Sequence, residues 1–478
     1  MNNLMNGLPG IIADEQSLKG VRNTKKDLYA PISNLHYDQV RSAFGIALHM
    51  HQPTIPASCD DLRHAELISN LQYMMERQHT GDNHNAPVFM NCYRRMAQII
   101  PELVAQGKNP RVMLDYSGNL LWGLEQMENA SAIEDLKRIA CDSKYFRHVE
   151  WLGTMWGHAV VSSTPIPDIK LHMQSWLQHF GSIFGKEALS RVKGFSPPEM
   201  HLPIHPDVCY EYVKALKECG YEWLLVQEHT IQNLDGSGIR RAYFPHRLVA
   251  KNSLGEVEEI TILIKTQGSD TKLVAQMQPF YEAKTRNRED YQGKNIPPFV
   301  AQIGDGENGG VMMNEFPPAY RVAFEQIGME GTVAMNGSEY LESIRMKSGI
   351  KENDFIPVEP VHQNWIWEFF KESGPGAADR AIEAARGKYH DFNLDRASWT
   401  SNISWVKGYE NVLDPMNKLS AAFHHRFDNH PEEKKTPRYA QALLCLLCSQ
   451  TSCFRYWGQG MWTDYAKELC RRGMELVE

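Results

Sequence analysis

The feature that most constrains this chain is a series of seven short apolar runs between residues 44 and 304. They are 44–50 (FGIALHM), 112–117 (VMLDYS), 148–153 (HVEWLG), 192–196 (VKGFS), 221–227 (YEWLLVQ), 260–266 (ITILIKT) and 298–304 (PFVAQIG). Each has strand length, and each gives way to a polar or glycine-rich stretch. Helix-compatible segments such as 92–107 and 206–220 separate them. Buried strands alternating with helices imply a parallel sheet with crossovers, either closed as a barrel or open and doubly wound. In both cases ligands bind beyond the carboxyl ends of the strands.

From about residue 336 the pattern changes to longer helix-compatible segments, 377–389, 409–427, 436–453 and 463–476, with no further alternation of strands. Residues 1–40 are polar and rich in turn formers, and they read as an arm over the surface. The expected organisation is therefore an N-terminal extension (1–40), an α/β catalytic unit (41–335) and a helical C-terminal domain (336–478) packed against it.

Composition narrows the class. With 478 residues, 42% hydrophobic and 23% charged, the chain has the make-up of a globular protein with a large core rather than of a disordered chain, a collagen or a coiled coil. A net charge of −8 argues against wrapping nucleic acid, which needs a basic footprint. No run approaches the ~18 apolar residues of a membrane span, and the N-terminus lacks a basic region followed by an apolar core. A cytoplasmic location follows as the expectation, with no membrane or nucleic-acid partner. The nine cysteines have no regular spacing, and those at 219, 445, 448, 453 and 470 lie in helix-like apolar surroundings that suit reduced, buried thiols.

The chemistry-bearing residues fall at strand ends. The first run closes on His49-Met50-His51-Gln52-Pro53, and strand alternation puts both imidazoles on one face. The fourth leads into Gly194-Phe195-Ser196-Pro197-Pro198-Glu199, a carboxylate just past a rigid turn. The seventh leads into Gly304-Asp305-Gly306-Glu307-Asn308-Gly309-Gly310, two carboxylates on a glycine-rich loop. The third contributes Glu150, with Trp156 and His158 following, and Trp457 is a further aromatic candidate. Acids converging on one rim with His and Trp around them suit glycosidic-bond chemistry. One carboxylate attacks or activates water and one carboxylic acid protonates the leaving oxygen. Histidines bond hydroxyls, and aromatic faces cover the apolar side of a ring.

Taken in order, HMHQP (49–53), VEWLGTMWGHAVV (149–161), GFSPPEM (194–200) and IGDGENGG (303–310) resemble the first four motifs of glycoside hydrolase family 57, and LDYSGNLLWGL (114–124) is similar to its second-strand region. The resemblance covers roughly residues 44–345. It implies an incomplete (β/α)7 barrel followed by a helical domain, and a retaining mechanism on α-glucans without metal or cofactor. By motif match Glu199 is the nucleophile and Asp305 the general acid/base, with His49, His51, Glu150, His158 and Glu307 around the sugar. The fifth motif departs from the family pattern, because Cys453 stands where an Asp is expected. Asp464 is the nearest replacement in sequence.

Two rivals carry their own expectations. A metal-dependent deacetylase would use His49, His51 and Asp115 as ligands. A catalytically inactive carbohydrate-binding protein would need no intact acid pair. The match of 304–309 to GxGxxG does not indicate dinucleotide binding, because Asp305 and Glu307 would repel a pyrophosphate and Pro317-Pro318 obstruct the helix that the motif must open.

Overall fold

The computed structural model describes residues 7–22, 27–127, 131–266, 271–307, 309–327, 331–394, 405–456 and 458–478. All seven apolar runs are strands: β1 (Ser42–Met50), β2 (Val112–Tyr116), β3 (Val149–Leu152), β4 (Gly194–Phe195), β5 (Trp223–Gln227), β6 (Val257–Lys265) and β7 (Phe299–Asp305). Every pairing among them is parallel, in the order β3-β2-β1-β7-β6-β5-β4. A parallel bridge between Gly153 and Phe195 joins the two ends, so the strands form a closed ring. The β3–β4 seam is held by Gly153 N–H to Gly194 O at 2.9 Å and Ser196 N–H to Gly153 O at 2.8 Å.

Alternation along each strand sorts the core. Ala47, Met113, Leu152, Leu225, Leu263 and Ile303 fill the ring's interior as one cluster. Their neighbours Leu48, Leu114, Val226, Ile264 and Val300 point outward into a second cluster shared with the helices. These include α1 (Ala86–Ala105), α2 (Gly118–Gln126), α3 (Ile166–Ser190) and α4 (Pro206–Glu218). Side chains buried on both faces are the pattern of a parallel sheet wrapped by helices.

The strands do not stop at residue 335. After a short strand at Thr332–Ala334 beside β1 and the helix α5 (Gly337–Ser348), β8 (Ile356–Pro360) runs parallel to the strand His246–Lys251 and antiparallel to Ile231–Asn233. The expectation of helices alone from 336 onward therefore fails at 356–360. The two prolines of IPVEP conceal this strand in the sequence, because neither can donate to a ladder. Beyond it α6 (Glu410–Phe427), α7 (Pro437–Ser449) and α8 (Met461–Val477) pack on one another.

The N-terminal arm is folded onto the molecule. Its helix Glu15–Arg22 lies on α3, and the buried Arg22 guanidinium donates to the carbonyl oxygens of Leu189, Val192, Cys219 and Gly220. These are the carbonyls at and just beyond the C-terminal ends of α3 and α4, where the regular i+4 donors of a helix run out. All nine cysteines are thiols, seven of them buried. No helix among the described residues is long and apolar enough to cross a membrane.

Candidate active site

The ends of β1, β2, β4 and β7, the turn after β3 and the end of α7 build the site. β1 delivers His49, whose register partners are Asp115 on β2 and Asp305 on β7. The His49 Nδ1 meets Asp115 Oδ2 at 2.9 Å. Burial opposes charge on this imidazole, but Asp115, with Glu307 and Asp305 adding to it, raises its pKa to about 9. His49 is thus an imidazolium at neutral pH.

The glycine-rich loop is fastened directly beneath. Gly306 N–H donates to His49 O at 2.7 Å, and a Cβ at 306 would lie 2.2 Å from Met50 Cε, so a larger residue here would have to displace the Met50 side chain. The buried Arg95 guanidinium supports the loop from below through the carbonyls of Met312 and Gly306. Both Glu307 carboxylate oxygens accept the His51 N–H, each at 3.1 Å. Burial raises the pKa of Asp305, against the pull of His49, and raises that of Glu307 well above its ordinary value, with Asp305 adding to the effect.

Glu199 reaches the same place by a strained turn. Glu199 and Met200 have φ of 58° and 50°, left-handed values that disfavour side chains. Such geometry costs roughly 1–3 kcal/mol per residue and persists only where its surroundings enforce it. Here Pro197-Pro198 fix the entry and Met200 is packed into the barrel interior. Glu199 is buried, with Oε1 at 4.0 Å from His158 Nδ1.

His158 has a φ of 55° and lies within a stack of three imidazoles. Its ring centroid is 4.1 Å from that of His51 and 4.6 Å from that of His49. Burial and the neighbouring imidazoles hold both His51 and His158 well below the ordinary histidine pKa, so both are neutral. A neutral imidazole can give or take a hydrogen bond, as a sugar hydroxyl requires. The His158 Nε2 is buried and has no hydrogen-bond partner among the described residues.

The helical region completes the site through residues 451–453. Thr451 Oγ1 is 3.2 Å from His51 Nε2, Ser452 Oγ is 2.7 Å from His158 Nδ1, and Cys453 Sγ is 3.5 Å from His51 Nε2. Ser117, which also caps α2, holds the His51 Nδ1 at 2.7 Å. Burial, with Glu199 and Glu307 contributing, pushes the Cys453 thiol up to about 12, so this position presents a neutral SH.

The structure thus brings His49, His51, His158, Glu199, Asp305 and Glu307 together. Four other expectations are corrected. Glu150 lies in the first half of β3, and its carboxylate accepts Ser338 N–H at 3.0 Å and Ser338 Oγ–H at 2.5 Å, at the start of α5. It is two residues before Leu152, the register partner of Asp115, and so sits deeper in the barrel than the rim. Burial lifts its pKa to about 8. Trp156 is fully buried, its indole N–H donating to His179 Nδ1 at 3.1 Å over Gly118, so it offers no face to a sugar. Asp464 is exposed in the first turn of α8 and does not replace the missing acid. The Gln52 amide is committed to Tyr93 OH at 3.0 Å and to Asn70 at 2.9 Å, tying the β1 loop to α1. Trp457 lies outside the described residues.

Sequence reasoning missed Ser117, Thr451 and Ser452. Ser117 follows a strand end next to Asp115, which is a usable signal; the other two act across nearly three hundred residues or more and carry no local one. The deacetylase ligand set does not assemble. The His49 Nδ1 is on Asp115, and both nitrogens of His51 face hydroxyls. Among the described residues, three such ligand atoms converge only at His430, Glu432 and Glu433 on the surface.

A closed ring of seven parallel strands, with acids and histidines at its carboxyl end, defines a (β/α)7-barrel enzyme domain. The family is specific: residues 45–256 match the model described as glycosyl hydrolase family 57, and this stretch of the chain is a domain of that family. No curated protein sequence matches the chain. Among solved structures it resembles the α-amylase AmyC of Thermotoga maritima (10% identity, 91% of this chain and 93% of that one, TM-score 0.52). It also resembles a branching enzyme of Pyrococcus horikoshii (11% identity, 91% and 88%, TM-score 0.50). A 4-α-glucanotransferase of Thermococcus litoralis is 16% identical, with 86% of this chain aligned and a TM-score of 0.49. The chain spans 55% of that protein's length.

Proposed function

We propose that the protein is a retaining glycosidase or transglycosidase acting on α-1,4-linked glucans through a glycosyl-enzyme intermediate. The observation that carries this is the histidine stack at the barrel mouth: Glu199 lies 4.0 Å from His158, the middle ring, and Asp305 is the register partner of His49. Two carboxyl groups beside one polar surface are the minimum for double displacement.

In the first step the Glu199 carboxylate attacks the anomeric carbon and forms an ester, while Asp305, protonated, gives its proton to the departing glycosidic oxygen. In the second, Asp305 as carboxylate removes a proton from water or from an acceptor hydroxyl, which attacks the anomeric carbon and releases Glu199. Burial favours a protonated Asp305, as the first step demands. The neutral imidazoles of His51 and His158 hold hydroxyls, and the imidazolium of His49 offsets negative charge on the acids around it.

The α-glucan substrate is supported by the family match and by the activities named for two structural neighbours, an amylase and a branching enzyme. The test is product analysis with maltooligosaccharides and glycogen. Hydrolysis yields shorter saccharides, transfer yields longer ones as well, and branching yields new α-1,6 linkages. The Glu199→Gln variant is expected to lose at least ~10⁴-fold in turnover, since removing a nucleophile leaves only binding and electrostatics. An unchanged rate in that variant would remove the proposed mechanism.

A further inference from the structure

The turn that carries His158 is gripped from outside the barrel. Ser452 N–H donates to His158 O at 3.0 Å, and Ala159 and Thr451 form an antiparallel bridge. Behind this contact lies a chain of buried hydrogen bonds. Gly157 N–H donates to His172 Nδ1 at 3.1 Å; His172 Nε2 is 2.8 Å from Gln450 Oε1; Gln450 Nε2 is 2.6 Å from Asp168 Oδ2. Asp168 Oδ1 in turn meets His424 Nε2 at 2.7 Å, and His424 Nδ1 meets Asp428 at 2.8 Å. Gln450, His172 and Asp168 are all fully buried.

This chain has one allowed polarity. A backbone N–H can only donate, so His172 Nδ1 is bare and its Nε2 carries the proton. That proton requires the oxygen of Gln450, which leaves the Gln450 NH₂ for Asp168. His424, between two carboxylates, carries protons on both nitrogens. Burial opposes its charge, but Asp168 and Asp428 raise its pKa. Burial keeps His172 neutral, near 4.

We propose that Asp168, Gln450 and His172 are positioning residues for His158, forming a one-way hydrogen-bond relay through which the helical region fixes the sugar-facing turn. The proposal rests on the assignment of His158 to the sugar site. None of the three touches substrate. Their effect on chemistry arises because His158 stacks on His51 and faces Glu199, and small displacements of groups around a reacting centre are costly in rate.

The polarity supplies the test. Asp168→Asn puts an NH₂ against the Gln450 NH₂ or, turned over, against the His424 Nε2–H, whose proton must then be given up. Turning the glutamine over would force a proton onto His172 Nδ1, against Gly157 N–H. Gln450→Glu sets two carboxylates face to face. The double variant Asp168→Asn/Gln450→Glu satisfies every link again, because the carboxylate introduced at 450 accepts both from His172 and from the amide introduced at 168. Each single variant is expected to lower kcat/KM on maltooligosaccharides, per folded molecule, by ~10-fold or more, with the double variant restored to within about threefold. In parallel, long-range ¹H–¹⁵N spectra of histidine-labelled protein should show wild-type His172 as the Nε2–H tautomer. His158 resonances should shift in each single variant and return in the double.

Unmoved His158 resonances, or full activity per folded molecule in the single variants, would overturn the relay. Shifted and restored resonances in a protein inactive on every glucan would uphold the relay and refute the glycosidase assignment alone. Should neither single variant fold, Gln450→Leu cuts both contacts without opposing charges, and the same two readouts apply to it.

Discussion

At the level of single residues the site is a set of charges whose balance depends on pH. The native pKa of Asp305 is raised by burial, so folding takes up a proton there. Its contribution to stability is complete below the unfolded carboxyl value and is lost as pH rises through the native one. Asp305→Asn is therefore expected to be more stable than wild type at pH 7–8, by about 1 kcal/mol, with the gap closing at pH 3–4. Denaturant titrations at the two pH values measure this, and equal stability at both would contradict it. The proposed mechanism gives activity the same sign: it uses the acid form of Asp305 in the first step, so kcat/KM should fall on the alkaline side. The His49–Asp115 pair works over a different window. Its contribution is complete below the ordinary histidine value of 6.5 and disappears as pH rises through about 9. His49→Gln should consequently reduce the stability difference between pH 6 and pH 10.

At the level of elements, function depends on how the barrel's carboxyl end meets the end of α7. Gly157 shows how close that contact is: a Cβ there would lie 2.1 Å from Leu447 O, a backbone atom that cannot yield without moving the helix. Gly157→Ala is expected to destabilise the fold by about 2 kcal/mol and to reduce activity in the folded protein as well, because the displaced turn carries His158. Thermal melts and steady-state rates on the same sample separate the two effects. The strand ends were legible in the sequence because a polar residue closing an apolar run announces itself locally. His49, Asp305 and Glu199 follow that rule. Glu150 satisfies it only superficially, since its place early in β3 puts it below the rim and within reach of Ser338. Trp156 could not be sorted from its neighbours, because whether an indole is a platform or core depends on what covers it. Ser452 and Thr451 join the site across several hundred residues of chain, and nothing local marks such a contact.

At the level of the whole molecule, the ring closes through seams of unequal strength. β1 and β7 are paired over seven residues, whereas β3 meets β4 through a single bridge and β6 meets β7 at one registered pair. The N-terminal arm compensates near the weaker side, because Arg22 bonds carbonyls at the ends of α3 and α4, the helices flanking β4. Arg22→Ala leaves these carbonyls without a charged donor and is expected to cost about 3 kcal/mol. Since the arm is remote from His49 and Asp305, KM should be unchanged, and a changed KM with an unchanged melting temperature would contradict a purely supporting role. The β/α alternation made this architecture readable from the sequence. The arm's packing and β8 were not, the first because its anchor is one arginine and the second because of its prolines.

The central claim is that Glu199 and Asp305 carry out double displacement on an α-glucan, and the configuration of the first product tests it most directly. Maltohexaose is incubated with the enzyme, and the anomeric protons of newly formed reducing ends are followed by NMR before mutarotation. Two inversions at one carbon predict that the α anomer appears first and the β anomer only as mutarotation proceeds. An initial β anomer would mean a single displacement and would contradict the assignment of Glu199 as nucleophile, and no reaction with any α-glucan would contradict the substrate.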